Sequence, residues 1–346
     1  MTFDFLGVVA DDLTGAGDAG AALARHGWPA LILVNGVRGV AGGWPAIAIN
    51  TESRHLSPAA AARRTAAACR WLARAGATRI FKKIDSTLRG HPVRESLAGA
   101  RAVKARRIPW VPAFPEAGRT TVGGVHRVDG RPVGETFESY LPAVIRRSAG
   151  RDAGRFEAPL NVRTTAELRR VARAFKGDRY AAGSAGFLDA LLCVWFARSG
   201  PAGVWATGHA PLASGPVLLV NGSATPVARR QVAAYRRRFP RDSVVAAPVR
   251  RGNPAGVMRK VVRAAEKLAQ RARPAGLILA GGETAWRVAT RLGIRGLVVR
   301  SALGPGVAGC EAIMATNGWV GARVVLKPGG FGGDDVLIRA RRWISG

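Results

Sequence analysis

Residues 82 to 91 carry a dense set of chemically active side chains, in the order Lys-Lys-Ile-Asp-Ser-Thr-Leu-Arg-Gly-His. They directly follow an apolar run, 79–81, that is typical of a buried strand. Loops that follow the strands of open α/β sheets are where such proteins present ligand-binding groups. Two lysines, an aspartate, two hydroxyls and an arginine within eight positions therefore predict a site for an anionic, polyhydroxylated molecule.

A second polar segment, 11–18, follows the first apolar run of the chain, 5–10. Acidic residues form strands poorly and are usually exposed, so Asp11 and Asp12 are expected to face a ligand, a metal ion or water. The alternative is a helix N-terminus whose N–H groups these polar side chains cap. One cap needs one such residue, which favours the ligand interpretation.

A glycine-rich turn, Gly281-Gly282-Glu283-Thr284, lies between an apolar run and a helical pattern. Free N–H groups at a helix N-terminus can hold a phosphate, and glycine lets the backbone approach it closely. An ordinary turn with Thr284 as the cap is the alternative, but further Gly-rich turns at strand ends favour a nucleotide. The chain has no GxxxxGK[ST] loop, and no GxGxxG lies in a convincing context.

The elements that must position these segments alternate along the first half of the chain. Predicted strands cover 5–10, 29–34, 46–50, 78–84, 107–113 and 179–183, and predicted helices cover 18–27, 57–76, 92–105, 164–175 and 186–198. This order is typical of a mostly parallel sheet covered on both faces. An Asp129-Gly130 pair between short apolar stretches predicts a hairpin that forms a flap at the site.

The second half repeats the alternation after a stretch rich in Pro, Gly, Ala and Ser, 201–216, which is predicted to be a linker. Its predicted strands cover 217–221, 243–247, 276–280, 296–300 and 323–327, and its predicted helices cover 226–238, 254–272 and 284–292. The expected fold class is α/β, with two domains, each a mostly parallel sheet flanked by helices, and a cleft between them. The predicted boundaries are 1–205 for a substrate-binding domain and 206–346 for a nucleotide-binding domain.

Several of these segments resemble, in order, the four-carbon acid sugar kinases, which phosphorylate threonate, erythronate or 3-oxo-tetronate with ATP. Residues 11–16, 82–90, 112–115 and 118–120 are similar to the substrate-binding domain of that family. Residues 221–223, 281–285, 304–307 and 327–332 are similar to its nucleotide-binding domain. The Asp-Ser-Thr-Leu-Arg-Gly version of the second motif looks more like the threonate-kinase branch. Gly15-Ala16-Gly17-Asp18 also resembles the GAGD anion hole of ribokinase-type kinases, but that motif lies late in their chains.

The resemblance implies two sets of site residues. For the sugar acid it implies Asp11, Asp12, Arg54, Lys83, Asp85, Ser86, Arg89 and Arg119. For ATP it implies Ser223, Gly282, Glu283, Thr284, Ala285, Lys327 and Gly329. An arginine fork suits a carboxylate, and a lysine such as Lys83 or Lys327 can neutralise the transferring phosphoryl group.

The expected reaction transfers a phosphoryl group from ATP to the terminal hydroxyl of a small sugar acid such as D-threonate or D-erythronate. Either Asp85 or Asp12 would accept the proton of that hydroxyl. Mg²⁺ on the nucleotide phosphates is expected from the reaction class, although the sequence shows no dedicated metal motif.

Composition limits the other classes of function. The chain is 48% hydrophobic, yet no apolar run reaches the roughly 18 residues that span a bilayer. Its three cysteines are isolated, and its N-terminus lacks a basic leader, so a cytoplasmic protein without a membrane partner is expected.

The formal charge of +31 opens the alternative of a basic protein that associates with nucleic acid. The basic residues follow helix faces and are not interleaved with aromatics, so no specific nucleic-acid partner is expected. A catalytically silent regulator of the same fold is the other alternative, and a homodimer remains an option.

Overall fold

The computed structural model describes residues 4–37, 43–134, 139–196, 214–248 and 253–346. Two compact units divide them. The N-terminal unit comprises the described residues of Met1–Asp11, His26–Trp28 and Gly36–Gly203, and the C-terminal unit those of Asp12–Arg25, Pro29–Asn35 and Val204–Gly346. The predicted boundary at 205 and 206 lies outside the described residues, as does the predicted linker up to residue 213.

Strands and helices alternate through most of the described chain. The strands are β1 Leu6–Ala10, β2 Ala30–Leu33, β3 Ala46–Asn50, β4 Arg79–Lys83, β5 Ile108–Val111, β6 Arg119–Val122, β7 Val125–Val128, β8 Arg131–Pro132, β9 Phe156–Glu157, β10 Tyr180–Gly183, β11 Leu218–Asn221, β12 Ser243–Ala246, β13 Gly276–Ala280, β14 Ile294–Gly304, β15 Val307–Ala315 and β16 Arg323–Lys327. The helices are α1 Leu13–Arg25, α2 Pro58–Arg74, α3 Pro92–Ala102, α4 Leu141–Ala149, α5 Thr165–Ala174, α6 Ala185–Trp195, α7 Pro226–Arg238, α8 Pro254–Ala272, α9 Gly282–Arg291 and α10 Val336–Ser345.

The N-terminal unit contains a sheet in the order β3-β1-β4-β10-β5-β9, and the adjacent strands are parallel. Ala10 at the end of β1 pairs in register with Asn50 of β3 and Lys83 of β4. The carboxyl ends of these three strands are therefore level at one edge of the sheet. That register brings residue 11 close to the loops that begin at 51 and 84, as the α/β interpretation requires.

A small antiparallel sheet, β6-β7-β8, confirms the predicted hairpin. Asp129 and Gly130 connect β7 to β8 with φ angles of 49° and 80°. Two positive φ angles are what a primed two-residue hairpin turn requires, and an Asp-Gly pair adopts them at little cost.

The sheet of the C-terminal unit is mixed. Strands β12-β11-β13-β16 are parallel, and β16-β15-β14-β2 continue as antiparallel neighbours. The sequence predicted only residues 296–300 of the β14 and β15 hairpin. The segment 304–307, assigned by resemblance to the nucleotide-binding domain, forms the turn of this hairpin, with Gly304 and Gly306 at φ angles of 146° and 75°.

Helix α1 begins at Leu13, five residues earlier than predicted, and belongs to the C-terminal unit. Its small residues allow close packing: a β-carbon on Gly17 would lie 3.1 Å from Leu326, and one on Gly20 would lie 2.5 Å from Val299. Residues 15–18, which resemble an anion-hole motif, thus lie on a part of α1 that packs closely against the sheet of the C-terminal unit.

Among the described residues, the helices are too short or too polar to span a membrane.

Candidate active site

Asp11 follows β1 in the N-terminal unit, and Arg54 binds it through both oxygens. The Nε and Nη2 atoms of Arg54 lie 2.7 Å and 3.0 Å from the carboxylate of Asp11. Arg54 comes from the loop after β3, and the N–H groups of Ser53 and Arg54 both donate to the carbonyl of Asp11, at 2.9 Å and 3.4 Å. Burial opposes ionisation, but the charges of Arg54 and Lys82 hold the pKa of Asp11 below its usual range.

Asp85 follows β4 and is enclosed by donors. The guanidinium of Arg89 binds both of its oxygens, with Nε at 2.8 Å and Nη2 at 2.9 Å, and the hydroxyl of Thr87 donates to it as well. Arg54 Nη2 lies 3.7 Å from its Oδ1, which joins Asp11 and Asp85 through one guanidinium. Although burial opposes ionisation, the hydrogen bonds and charges of these partners hold the pKa of Asp85 far below its usual range.

Ser86 is buried, and a residue that the sequence analysis missed fixes its backbone. His126 Nε2 donates to the carbonyl of Ser86 at 2.8 Å, and Nδ1 lies 3.3 Å from Thr121 Oγ1. Burial lowers the pKa of His126. No residue pattern marked His126 in advance, because its role depends on how the hairpin packs against the loop after β4.

Two predicted cations complete this set. Lys83 is buried at the end of β4, where its Nζ donates to the carbonyl of Ile84 at 2.9 Å. Arg119 is buried at the start of β6 and donates to the carbonyl of Ala117. The predicted sugar-acid residues other than Asp12 thus belong to the N-terminal unit. Within this set, three arginines and one lysine outnumber two aspartates.

The predicted nucleotide residues converge in the C-terminal unit. A β-carbon on Gly222 would overlap Thr284 Oγ1, and one on Gly329 would lie 2.5 Å from Ser223 Oγ. The N–H of Gly281 donates to the carbonyl of Lys327 at 2.9 Å. We call the group formed by residues 221–223, 281–284 and 327–329 the glycine cradle.

Helix α9 opens at this cradle. Gly281 precedes it with a φ of 99°, and no side chain in the described part of the chain caps the first turn. The alternative that Thr284 caps the helix is wrong, because Gly281 is the N-cap residue and Thr284 lies inside the helix, where its hydroxyl contacts Met258 Sδ at 3.4 Å. The first N–H groups of a helix have no partner within it, which leaves those of Gly282, Glu283 and Thr284 for an anion.

Two further predicted nucleotide residues have other partners. The N–H of Ala285 donates to the carbonyl of Gly281 at 2.8 Å, and its side chain is buried. The carboxylate of Glu283 pairs with Arg287 at 2.9 Å on the helix surface. Ala285 therefore shapes the helix start instead of offering a hydrogen bond.

Asp12 lies with the glycine cradle. A β-carbon on Gly282 would overlap Asp12 Oδ2. Asp12 also caps α1, because the N–H of Gly15 donates to its Oδ1 at 2.6 Å. The capping and ligand interpretations of this residue are therefore compatible, since one oxygen serves the helix and the other faces Gly282.

Lys327 supplies a buried cation at the end of β16. Its Nζ donates to the carbonyls of Pro328 and Gly329, at 2.9 Å and 3.2 Å. Burial lowers the pKa of Lys327 to about 8. An ammonium held by neutral carbonyls retains its attraction for a phosphate.

Among the described residues, no group of three or more His, Cys, Asp or Glu side chains could hold a metal ion.

Comparison with known families matches two domain models to the chain. Residues 6–182 match the family model of a sugar-binding N-terminal domain, and residues 246–337 match that of a nucleotide-binding C-terminal domain. The chain therefore belongs to the four-carbon acid sugar kinase family, which confirms the resemblance seen in its motifs.

Curated relatives cover almost the whole chain. A D-threonate kinase of Bordetella bronchiseptica is 30% identical over 98% of this chain and 97% of its own length. A D-threonate kinase of Salmonella typhimurium is 28% identical over 98% of both chains. A 3-oxo-tetronate kinase of the same species is 26% identical over 97% of this chain and 98% of its own.

Two solved structures share the fold. One, described as a putative tRNA synthase from Salmonella typhimurium, has a TM-score of 0.73 at 21% identity and covers 99% of this chain and 100% of its own. The other, a Haemophilus influenzae protein, has a TM-score of 0.67 at 20% identity and covers 98% and 100%. These likenesses confirm the α/β class.

Proposed function

We propose that this chain is an ATP-dependent kinase that phosphorylates the terminal hydroxyl of a four-carbon sugar acid, with D-threonate as the first candidate. The observation that carries the proposal is the glycine cradle, which includes Lys327, with the carboxylate of Asp12 against Gly282. It combines free N–H groups, a buried cation and a carboxylate, which are the groups that phosphoryl transfer requires. The 30% identity to a D-threonate kinase supports this substrate.

The nucleotide binds in the C-terminal unit in this proposal. The first N–H groups of α9 and the ammonium of Lys327 contact the phosphates, and Ser223 and Gly329 form the opposite wall. A larger residue at 329 would collide with the side chain of Ser223. Glycine at this position therefore lets the two residues lie close together at the proposed nucleotide site.

The sugar acid binds in the N-terminal unit. Arg54, Lys83, Arg89 and Arg119 supply the positive charge for a carboxylate, and Asp11, Asp85 and Ser86 supply acceptors and a hydroxyl for the sugar hydroxyls. The arginine partners of Asp11 and Asp85 keep both carboxylates ionised, so each can accept a hydrogen bond from a hydroxyl but neither can donate one.

Of the two candidates for the proton acceptor, we assign the role to Asp12. Asp85 is a weak base because Arg89, Thr87 and Arg54 stabilise its ionised form. Asp12 lies against the first residue of α9, where the phosphates are proposed to bind. The substrate hydroxyl gives its proton to Asp12 as its oxygen bonds to the terminal phosphorus of ATP, and ADP leaves with the electrons of the broken phosphorus–oxygen bond.

Mg²⁺ neutralises the nucleotide phosphates when bound and lowers the charge barrier to attack. Lys327 and the helix N–H groups then contribute the protein's share of charge stabilisation.

A screen of ADP release with Mg²⁺ and ATP across four-carbon and five-carbon sugar acids tests the proposal. We expect the highest kcat/KM with a four-carbon acid, and ³¹P NMR should locate the phosphate on its terminal oxygen. Absence of turnover, with melting temperatures raised by both ADP and a sugar acid, would instead identify a silent ligand-binding member of the family.

A further inference from the structure

A buried ion pair lies next to the proposed sugar-acid residues of the N-terminal unit. Lys82 Nζ lies 3.3 Å from Glu95 Oε2, and the two side chains are 0% and 2% exposed. We propose that Lys82 and Glu95 are positioning residues that set the Ser53-Arg54 turn against Asp11 and thereby determine the affinity for the sugar acid. This inference rests on the proposed function, since it takes the N-terminal unit as the sugar-acid site.

Stability alone does not account for the pair. Burying two charges costs desolvation energy, and well-packed apolar replacements of buried ion pairs are often neutral or stabilising. Lys82 lies on β4 and Glu95 on α3, and α2 is the neighbouring helix. Apolar side chains at 82 and 95 could occupy the same buried space. A charged pair at this position therefore needs another explanation.

The contacts of the second carboxylate oxygen of Glu95 provide this explanation. Its Oε1 accepts hydrogen bonds from Ser53 Oγ and from Thr65 Oγ1, the latter at 3.2 Å. Ser53 and Thr65 are both fully buried. Glu95 on α3 therefore ties together α2 and the turn that follows β3.

That turn carries the residues that hold Asp11. The N–H of Ser53 donates to the carbonyl of Asp11 at 2.9 Å, and the next residue, Arg54, binds the carboxylate. Ser53 Oγ also lies 2.7 Å from Thr51 Oγ1. A change at Glu95 would release the Ser53 hydroxyl and allow the guanidinium of Arg54 to move.

Lys82, the other member of the ion pair, acts on the end of β4 and on Asp11. Adjacent strand residues point to opposite faces of a sheet, so Lys82 points toward Glu95 while Lys83 points to the other face. Lys82 Nζ also donates to the carbonyl of Lys83 at 3.1 Å, which fixes the end of β4. Its positive charge, together with that of Arg54, favours the ionised form of the buried Asp11.

The test separates positioning from stability with four variants of the full chain. Glu95→Met and Ser53→Ala break the connection to the turn, and Lys82→Met/Glu95→Met replaces the pair with apolar side chains. Glu157→Gln, at an exposed ion pair with Arg107 in the same unit, is the matched control. The readouts are the melting temperature, the Kd for ADP, and kcat and KM for the four-carbon acid with the highest wild-type kcat/KM.

We expect Glu95→Met and Ser53→Ala to raise the KM for the sugar acid about tenfold or more while the Kd for ADP stays within twofold. The double variant should recover the wild-type melting temperature and keep the raised KM, and the control should match wild type in every readout. A double variant that recovers both values would show that the pair serves stability only, and the inference would be wrong. A wild-type chain that phosphorylates no sugar acid would refute the proposed function itself, which is a separate result.

Discussion

The carboxylate of Asp12 lies directly against Gly282, so closely that a β-carbon at residue 282 would overlap Asp12 Oδ2. Asp12 follows β1 and Gly282 begins α9, and both belong to the C-terminal unit. The absence of a side chain at 282 lets a carboxylate and the free N–H groups of a helix share one small site. This relationship is the basis for the first two predictions.

Gly282→Ala is expected to weaken ADP binding by at least about tenfold, because its methyl group must displace the Asp12 carboxylate or the start of α9. Isothermal titration calorimetry measures the change. Gly256→Ala in α8 is the control, since a β-carbon there would meet only ordinary contacts at 3.9 Å or more. Equal affinities for the two variants would remove Gly282 from the nucleotide site.

Asp12→Asn is expected to lower kcat about 100-fold or more, the usual contribution of a positioned base. Asp85→Asn should act differently: it breaks the pairs with Arg89 and Arg54, so it should mainly raise the KM for the sugar acid and lower the melting temperature. Steady-state kinetics on the preferred substrate distinguish the two. The assignment of the base to Asp12 fails if Asp85→Asn shows the larger loss of kcat.

Lys327 gives nucleotide affinity a dependence on alkaline pH. Its pKa is lowered to about 8 by burial, and a bound phosphate favours the charged form, which raises the pKa again. Binding of ADP should therefore take up a proton above pH 8, and its affinity should fall as the pH rises from 8 to 10. Calorimetry in buffers with different ionisation enthalpies measures this uptake.

Lys327→Met should bind ADP at least about tenfold more weakly at pH 7 and should lose that alkaline dependence. Lys267→Met is the matched control, because Lys267 is exposed on α8 of the same unit. A variant at 327 that keeps the wild-type pH dependence would show that another group is responsible.

Arg89→Lys should raise the KM for the sugar acid about tenfold, or about 1.4 kcal/mol, and leave the Kd for ADP unchanged. Lysine cannot form the two-pronged contact by which Arg89 binds Asp85. Arg94→Lys, at an exposed position of α3, is the control. Unchanged kinetics for the sugar acid in both variants would place Arg89 outside the binding site.

The sequence by itself determined the features that depend on local pattern. The alternation of apolar runs and helical segments predicted the parallel strands of the N-terminal unit, and the Asp129-Gly130 pair predicted the β7-β8 hairpin. The motifs also pointed to the sugar-acid kinase family, because their residue types and order are specific even where each one alone is not. Each of these signals is contained within a few consecutive residues.

Only the tertiary structure decided the features that depend on distant partners. Asp11 and Asp12 are consecutive, yet Asp11 packs with Arg54 in one unit and Asp12 with Gly282 in the other. A motif cannot show whether a carboxylate such as Asp85 is already neutralised by arginines, nor that Lys82 is paired with Glu95. These facts depend on which elements pack together. Burial and pairing then set the charge and basicity of each group, and neither can be read from the residue types alone.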